Sequence, residues 1–117
     1  PVVPRLLHKF SVSSAQVSIG DRALVEPGLY LPHGQVVIDG VTYVGPEVVL
    51  RPFVTLGLVD STIFGPRIGA RTLVGTGAKV IGPIQVGADV QVGANAVVVR
   101  DVADGATVGG VPARVIA

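Results

Sequence analysis

The chain has 117 residues, of which 49% are hydrophobic and only 15% charged, with a formal net charge of +1. That length suits one domain, and the near-neutral balance gives no electrostatic footing for nucleic acid. Without cysteine there is no disulfide framework or thiol chemistry. No run of about 18 apolar residues suggests a membrane span and no basic stretch with an apolar core suggests a signal peptide, so the cytoplasm is the expected location.

Pro1 to Phe10 is the least regular part and reads as a short helical or irregular lead-in. Arg5-Leu6-Leu7-His8-Lys9-Phe10 is able to end a helix, although one or two turns depend on packing for stability. His8 reads as an exposed helix-end residue. Because the chain opens at Pro1, a helical domain upstream is one expectation. Residues 11–117 form the main domain. Ser11 to Ser18 alternates loosely, like an imperfect first turn of a repeat. From there the apolar key positions fall six apart at Ile19, Val25, Leu31 and Val37. One extra residue then moves the frame to Val44. Asp39-Gly40 is a turn signal, so a bulge or wider corner is expected over Asp39 to Thr42.

The spacing continues through Leu50, Leu56, Thr62 and Ile68. Thr62 is a poor key residue, and Asp60 falls where a small apolar one belongs. Gly57 to Pro66 is therefore expected to leave the repeat as a loop. Ile68, Val74, Val80, Val86, Val92 and Val98 then recur every six residues without a slip. Glycine follows at Gly69, Gly75, Gly87 and Gly93, where it is expected to relieve backbone strain near a corner. Four places after the key residues stand Thr72, Ala78, Ile84, Val90, Ala96 and Val102. Charge enters at Arg100, and residues 104–117 read as a cap over the last apolar layer.

A period of six fits neither a helix, near 3.6, nor a lone strand, near 2. A fixed short period is the mark of a solenoid. Each hexad makes one flat face, three faces close a coil, and coils stack with parallel strands about 4.8 Å apart. The fold class is therefore all-β, a parallel β-helix shaped as a triangular prism, rich in valine because β-branched side chains suit pleated faces. Crossovers between parallel strands are normally right-handed, and spacing alone does not set the hand here.

Several segments resemble hexapeptide-repeat acyltransferases, most of all the C-terminal half of the serine O-acetyltransferases. Val74 to Gly82 is similar to IGAGAKILG, Val92 to Val98 to IGAGSVV, Val54-Thr55-Leu56-Gly57 to VTLG, and Gly110 to Arg114 matches GVPAR. The resemblance implies a left-handed β-helix and a homotrimer or a dimer of trimers. It also implies acetyl-CoA, or another acyl-CoA, held in the groove between prisms, with a histidine deprotonating a small hydroxyl or amine acceptor. His33, in Leu31 to Ile38, stands where the family has its DHATGVVIG-like segment and is the candidate base. Pro32 replaces the aspartate of that segment, Gly65 replaces the histidine of RHPKI, and Ser11 to Gly20 lacks the acid of DIHP. Those departures keep a second reading open: a catalytically inactive β-helical trimer that serves as a binding or assembly module.

For His33 itself, a surface corner histidine and a general base are the two readings; imidazole is the side chain suited to accept a proton near neutral pH. Its orienting acid would be Glu26, Asp39 or Asp60, from this subunit or another. Thr76, Gly77, Ala78, Lys79, Asn95 and Ala96 are candidate coenzyme contacts, with Arg100 and Arg114 beside Lys79 as partners for its phosphates. The alternative is that small residues satisfy turns and the cations are solvated. Asp101 and Asp104 read as terminal-turn residues. No metal is expected, because a three-histidine zinc site cannot be built from two histidines.

Overall fold

A computed structural model describes residues 16–117; the lead-in, with His8, lies outside the described residues. The first coil holds β1 (Val17–Ile19) and β2 (Leu24–Val25), and the second β3 (Val36–Ile38), β4 (Val41–Val44) and β5 (Val49–Leu50). The third holds β6 (Thr55–Gly57), β7 (Phe64–Ile68) and β8 (Leu73–Val74), and the fourth β9 (Lys79–Ile81), β10 (Gln85–Val86) and β11 (Gln91–Val92). The last coil holds β12 (Val97–Val98) and β13 (Thr107–Gly109), after which β14 (Arg114–Val115) folds back. The strands stack into three faces: face A is β1-β3-β6-β9-β12, face B is β2-β4-β7-β10, and face C is β5-β8-β11-β13-β14. All pairings are parallel except β13 with β14. The winding is a left-handed parallel β-helix.

The key residues meet on the axis. Ile38, Val44 and Leu50 form one layer, Leu56, Ile68 and Val74 the next, and Val80, Val86 and Val92 a third, none more than 2% exposed. Thr72, Ala78, Val90 and Ala96, four places on, are fully buried beside them. Thr72 holds its place by hydrogen bonding: its hydroxyl donates to the Gly87 carbonyl at 2.7 Å and accepts from the Val90 amide at 3.2 Å.

Three expectations are revised. The extra residue of the second coil is not at Asp39. Ile38, 1% exposed, takes the key place and Val37, 40% exposed, faces out; Ile19 pairs with Ile38 and Val25 with Val44. The frame shift therefore falls between Leu31 and Ile38, where Gly34 and Gln35 are consecutive left-handed residues with φ of 76° and 58°. A bulge does lie opposite Thr42, but its extra residue belongs to β7, where Phe64 pairs with Val41 and Arg67 with Tyr43.

Second, Thr62 is not a key residue. Leu56 pairs with Ile38 and Ile68 with Val44, so the third coil carries one additional hexad outside the prism. Six residues, Leu58 to Ile63, separate β6 from β7, and the Thr62 hydroxyl accepts from the Phe64 amide at 3.0 Å. The loop expected over this region is there, and it preserves the spacing because its length is one period.

Third, the glycines after the key residues do not relieve a strained φ. A Cβ on Gly75 would stand 2.7 Å from the Val92 carbonyl oxygen and 2.8 Å from the Ala94 nitrogen of the next coil; glycine is required there by the approach of two backbones. Among the described residues, ten of the fourteen left-handed ones stack into two columns, most of them three places after the key. One column, on the edge joining face B to face C, contains Gly28, Glu47, Arg71, Asp89 and Gly105; the other, joining face C to face A, contains Gln16, Gln35, Phe53, Gly77 and Asn95. The last coil is short, because Val86 bridges to Val102. Asp101 and Asp104 supply what its backbone cannot: their carboxylates accept from the Gln85 and Ala88 amides, each at 2.9 Å.

Candidate active site

The edge joining face C to face A gathers most of the residues singled out by sequence. His33 stands in the widened corner, two residues before Gln35, exposed to solvent. The turns above it follow in order: Arg51-Pro52-Phe53, then Thr76-Gly77, then Ala94-Asn95. Backbone hydrogen bonds bind them coil to coil. The Phe53 amide donates to the Gln35 carbonyl at 2.8 Å, Gly77 to Pro52 at 2.9 Å, and Asn95 to Thr76 at 2.8 Å. At the top, the Val97 amide donates to Gly110 at 3.0 Å and Ala113 to Val97 at 2.8 Å, which brings Arg114 to the end of the same edge.

The candidates differ in what they present. Thr76 and Asn95 are exposed, and the Asn95 carboxamide oxygen lies over Gly77, in the space a side chain there would need. Ala78 and Ala96 are fully buried, so they belong to the core and offer a ligand no surface. Lys79 is not a free cation: its ammonium donates to the Phe53 and Gly77 carbonyls, each at 2.8 Å, and so ties two levels of the edge together. Arg100 follows β12 and precedes Val102, on the edge joining face A to face B. It is exposed and stands apart from His33 within this chain.

None of the three acids considered for orienting His33 shares its corner. Glu26 lies between faces B and C, and Asp39 and Asp60 lie between faces A and B. Asp39 instead accepts from the Gly40 amide at 2.9 Å. Gly65 is buried, and the Thr42 hydroxyl occupies the position that a Cβ on Gly65 would need. Thr42 is 2% exposed and donates to the Asp39 carbonyl at 2.7 Å, so the bulge of β7 has no room for a larger residue.

Sequence reasoning passed over Phe53, an aromatic with φ of 66° on the same edge. Its position three places after Leu50 was the available signal. It also passed over the Arg71–Asp89 ion pair in the other column, with Nε–Oδ1 2.8 Å and a second contact of 3.0 Å. The Arg71 hydrogen bond holds the Asp89 carboxyl below the usual carboxylate range, and Asp89 in turn raises the guanidinium. A shallow groove of about 240 Å³ on face B, lined by Tyr43, Arg67, Gln85 and Asp104, has Arg67 stacked 4.6 Å from the Tyr43 ring centre. It lies on a different face from His33. Among the described residues no cluster of three metal-ligating side chains occurs.

Known proteins share this fold. The family described as hexapeptide repeat of succinyl-transferase matches residues 67–100. A serine acetyltransferase of Synechococcus elongatus is 41% identical over 99% of this chain and 49% of its own length. That of Helicobacter pylori strain J99 is 38% identical over 97% of this chain and 68% of its own. Among solved structures, a serine acetyltransferase complex with cysteine aligns with TM-score 0.92 and 29% identity, over 97% of this chain and 48% of that one. The Brucella abortus enzyme in complex with coenzyme A aligns with TM-score 0.90 and 36% identity, over 96% of this chain and 46% of that one. The chain spans about half the length of the first curated relatives it matches, 49% and 52%. Repeat, prism and a likeness that runs over nearly all of this chain agree, and the chain belongs to the serine acetyltransferase family of hexapeptide-repeat proteins.

Proposed function

We propose that this chain is the acyl-transfer unit of a CoA-dependent acetyltransferase that acts on a small hydroxyl or amine acceptor, with His33 as general base. One observation carries the reading: a single edge, hydrogen-bonded from Gln35 to Asn95, holds an exposed histidine at one level and exposed Thr76 and Asn95 further along. His33 takes the acceptor proton as the oxygen attacks the thioester carbon. The tetrahedral oxyanion collapses, the carbon–sulfur bond breaks, and the protonated imidazole returns its proton to the departing CoA thiolate. A homotrimer would place this edge in a groove against a second prism, and a neighbouring subunit would supply the acid that His33 lacks in its own corner. The relatives' name makes serine the first acceptor to try.

The absence of Glu26, Asp39 and Asp60 from the His33 corner favours one second reading, a non-catalytic trimer that keeps the architecture as a binding or assembly module. Titration calorimetry with acetyl-CoA, combined with thiol release from His33→Ala, separates the two. The enzyme reading expects saturable binding in both proteins and a rate loss of about 10²–10⁴-fold in His33→Ala. Undiminished turnover in that variant removes His33 as base. No binding of acetyl-CoA or CoA to a protein shown to be trimeric supports the module.

A further inference from the structure

We propose that Phe53 is a specificity-determining residue that limits the length of the transferred acyl group; this rests on the acyl-transfer reading above. Its position follows from the levels of the edge. His33 and Gln35 occupy one corner, Phe53 the next, Gly77 the third and Asn95 the fourth, joined amide to carbonyl, with about 4.8 Å per level. A base must come within about 3 Å of the acceptor hydroxyl, and that hydroxyl must touch the thioester carbon. With the coenzyme held at the levels of Thr76 and Asn95 and the base at the level of His33, the acyl group falls between them. That level is Phe53's.

Phe53 is an unusual residue to find there. It adopts φ of 66° and is 57% exposed. The left-handed region carries a steric cost for an L-residue, but Gln35, Glu47 and Arg71 hold it at their own corners as well; what sets Phe53 apart is the exposed aromatic ring it presents on this edge. Within the single chain the ring has no core to fill, so the prism itself does not call for an aromatic here. Its backbone is also fixed from two sides. The amide donates to Gln35 at 2.8 Å and the carbonyl accepts from the Lys79 ammonium at 2.8 Å. A ring on an anchored turn makes a wall that an acetyl methyl can touch and a longer chain must displace.

The test uses acetyl-, propionyl- and butyryl-CoA with the wild type, Phe53→Gly and Phe53→Leu. Calorimetry gives the ratio of butyryl-CoA to acetyl-CoA affinity, and thiol release with serine gives the corresponding ratio of kcat/KM. The proposal expects Phe53→Gly to raise these ratios by at least about tenfold, the scale of a methylene misfit in an apolar pocket. Its Tm should be unchanged or higher, since glycine adopts the left-handed region freely. Phe53→Leu should shift the ratios the same way by less, and it answers the question if the glycine variant folds poorly. Ratios unchanged in folded variants overturn the role of Phe53 while leaving acyl transfer intact. A wild type that neither binds nor turns over any of the three overturns both.

Discussion

Replacing Gly75 by alanine should destabilise the prism far more than replacing Gly105, although only Gly105 has a positive φ. A Cβ on Gly75 would stand 2.7 Å from the Val92 oxygen and 2.9 Å from the Gly93 carbonyl carbon, where carbon needs about 3.5 Å. Both are backbone atoms of the next coil, so the coils must separate by roughly 0.6–0.8 Å. The Gly75 amide donates to that same Val92 oxygen at 2.8 Å, and separation stretches this bond. Overpacking of about 1–3 kcal/mol and a weakened hydrogen bond of about 1 kcal/mol together give a loss of about 2–4 kcal/mol. Gly105, with φ of 75°, faces open space: a Cβ there would have no atom within 4 Å. Alanine there meets a left-handed cost of about 1–2 kcal/mol, offset by about 0.4–1 kcal/mol of unfolded-chain entropy. Urea denaturation followed by circular dichroism, at one fixed protein concentration, gives both values. A Gly75→Ala loss no larger than that of Gly105→Ala would refute close coil approach as the reason for these glycines.

Two further outcomes follow from the same structure. Thr72→Val should cost about 1–3 kcal/mol in the same denaturation assay, because the Val90 amide and Gly87 carbonyl lose the buried hydroxyl that meets them at 3.2 and 2.7 Å; an isosteric swap with no cost would show that water replaces it. Asp89 has a folded pKa below that of a free carboxylate, so its contribution is present above the unfolded value near 3.9 and is lost as pH falls through the depressed one. The Tm gap between wild type and Arg71→Gln should therefore close on acidification through that window, and shrink in high salt because the pair is exposed; a gap constant with pH would place the effect elsewhere.

The faces were legible because apolar period and burial coincide without a break from Ile68 to Val98. The loop was legible through misfits, Asp60 and Thr62 standing where small and aliphatic residues belong. Val36, Val37 and Ile38 gave no such contrast. Three β-branched residues in a row fit either register, and only packing shows that Ile38 is inside. That ambiguity moved the extra residue from the His33 corner to Asp39. Stacking also brought His33, Thr76, Lys79 and Asn95 to one edge, which the period implies once the coil length is known; Arg114 reaches it through the fold-back of β14. It could not reveal that the Lys79 ammonium bonds to two carbonyls, or that Ala78 and Ala96 are sealed in the core. Glycine positions showed where small residues are needed but not whether torsion or contact demands them.

The three edges treat chain length differently. Between faces B and C, the step from one key residue to the next is six in every coil from Val25 to Val108. Between faces A and B it is six from Ile38 to Val44, twelve from Leu56 to Ile68, and four from Val98 to Val102. One corner is of constant length, and another is a seam where residues enter or leave while the layers on either side keep their register. Added surface length has a small entropic cost, and the seam carries both the largest gain and the one loss of residues in this chain. A fold of this kind can acquire new segments there without rebuilding the edge that bears His33.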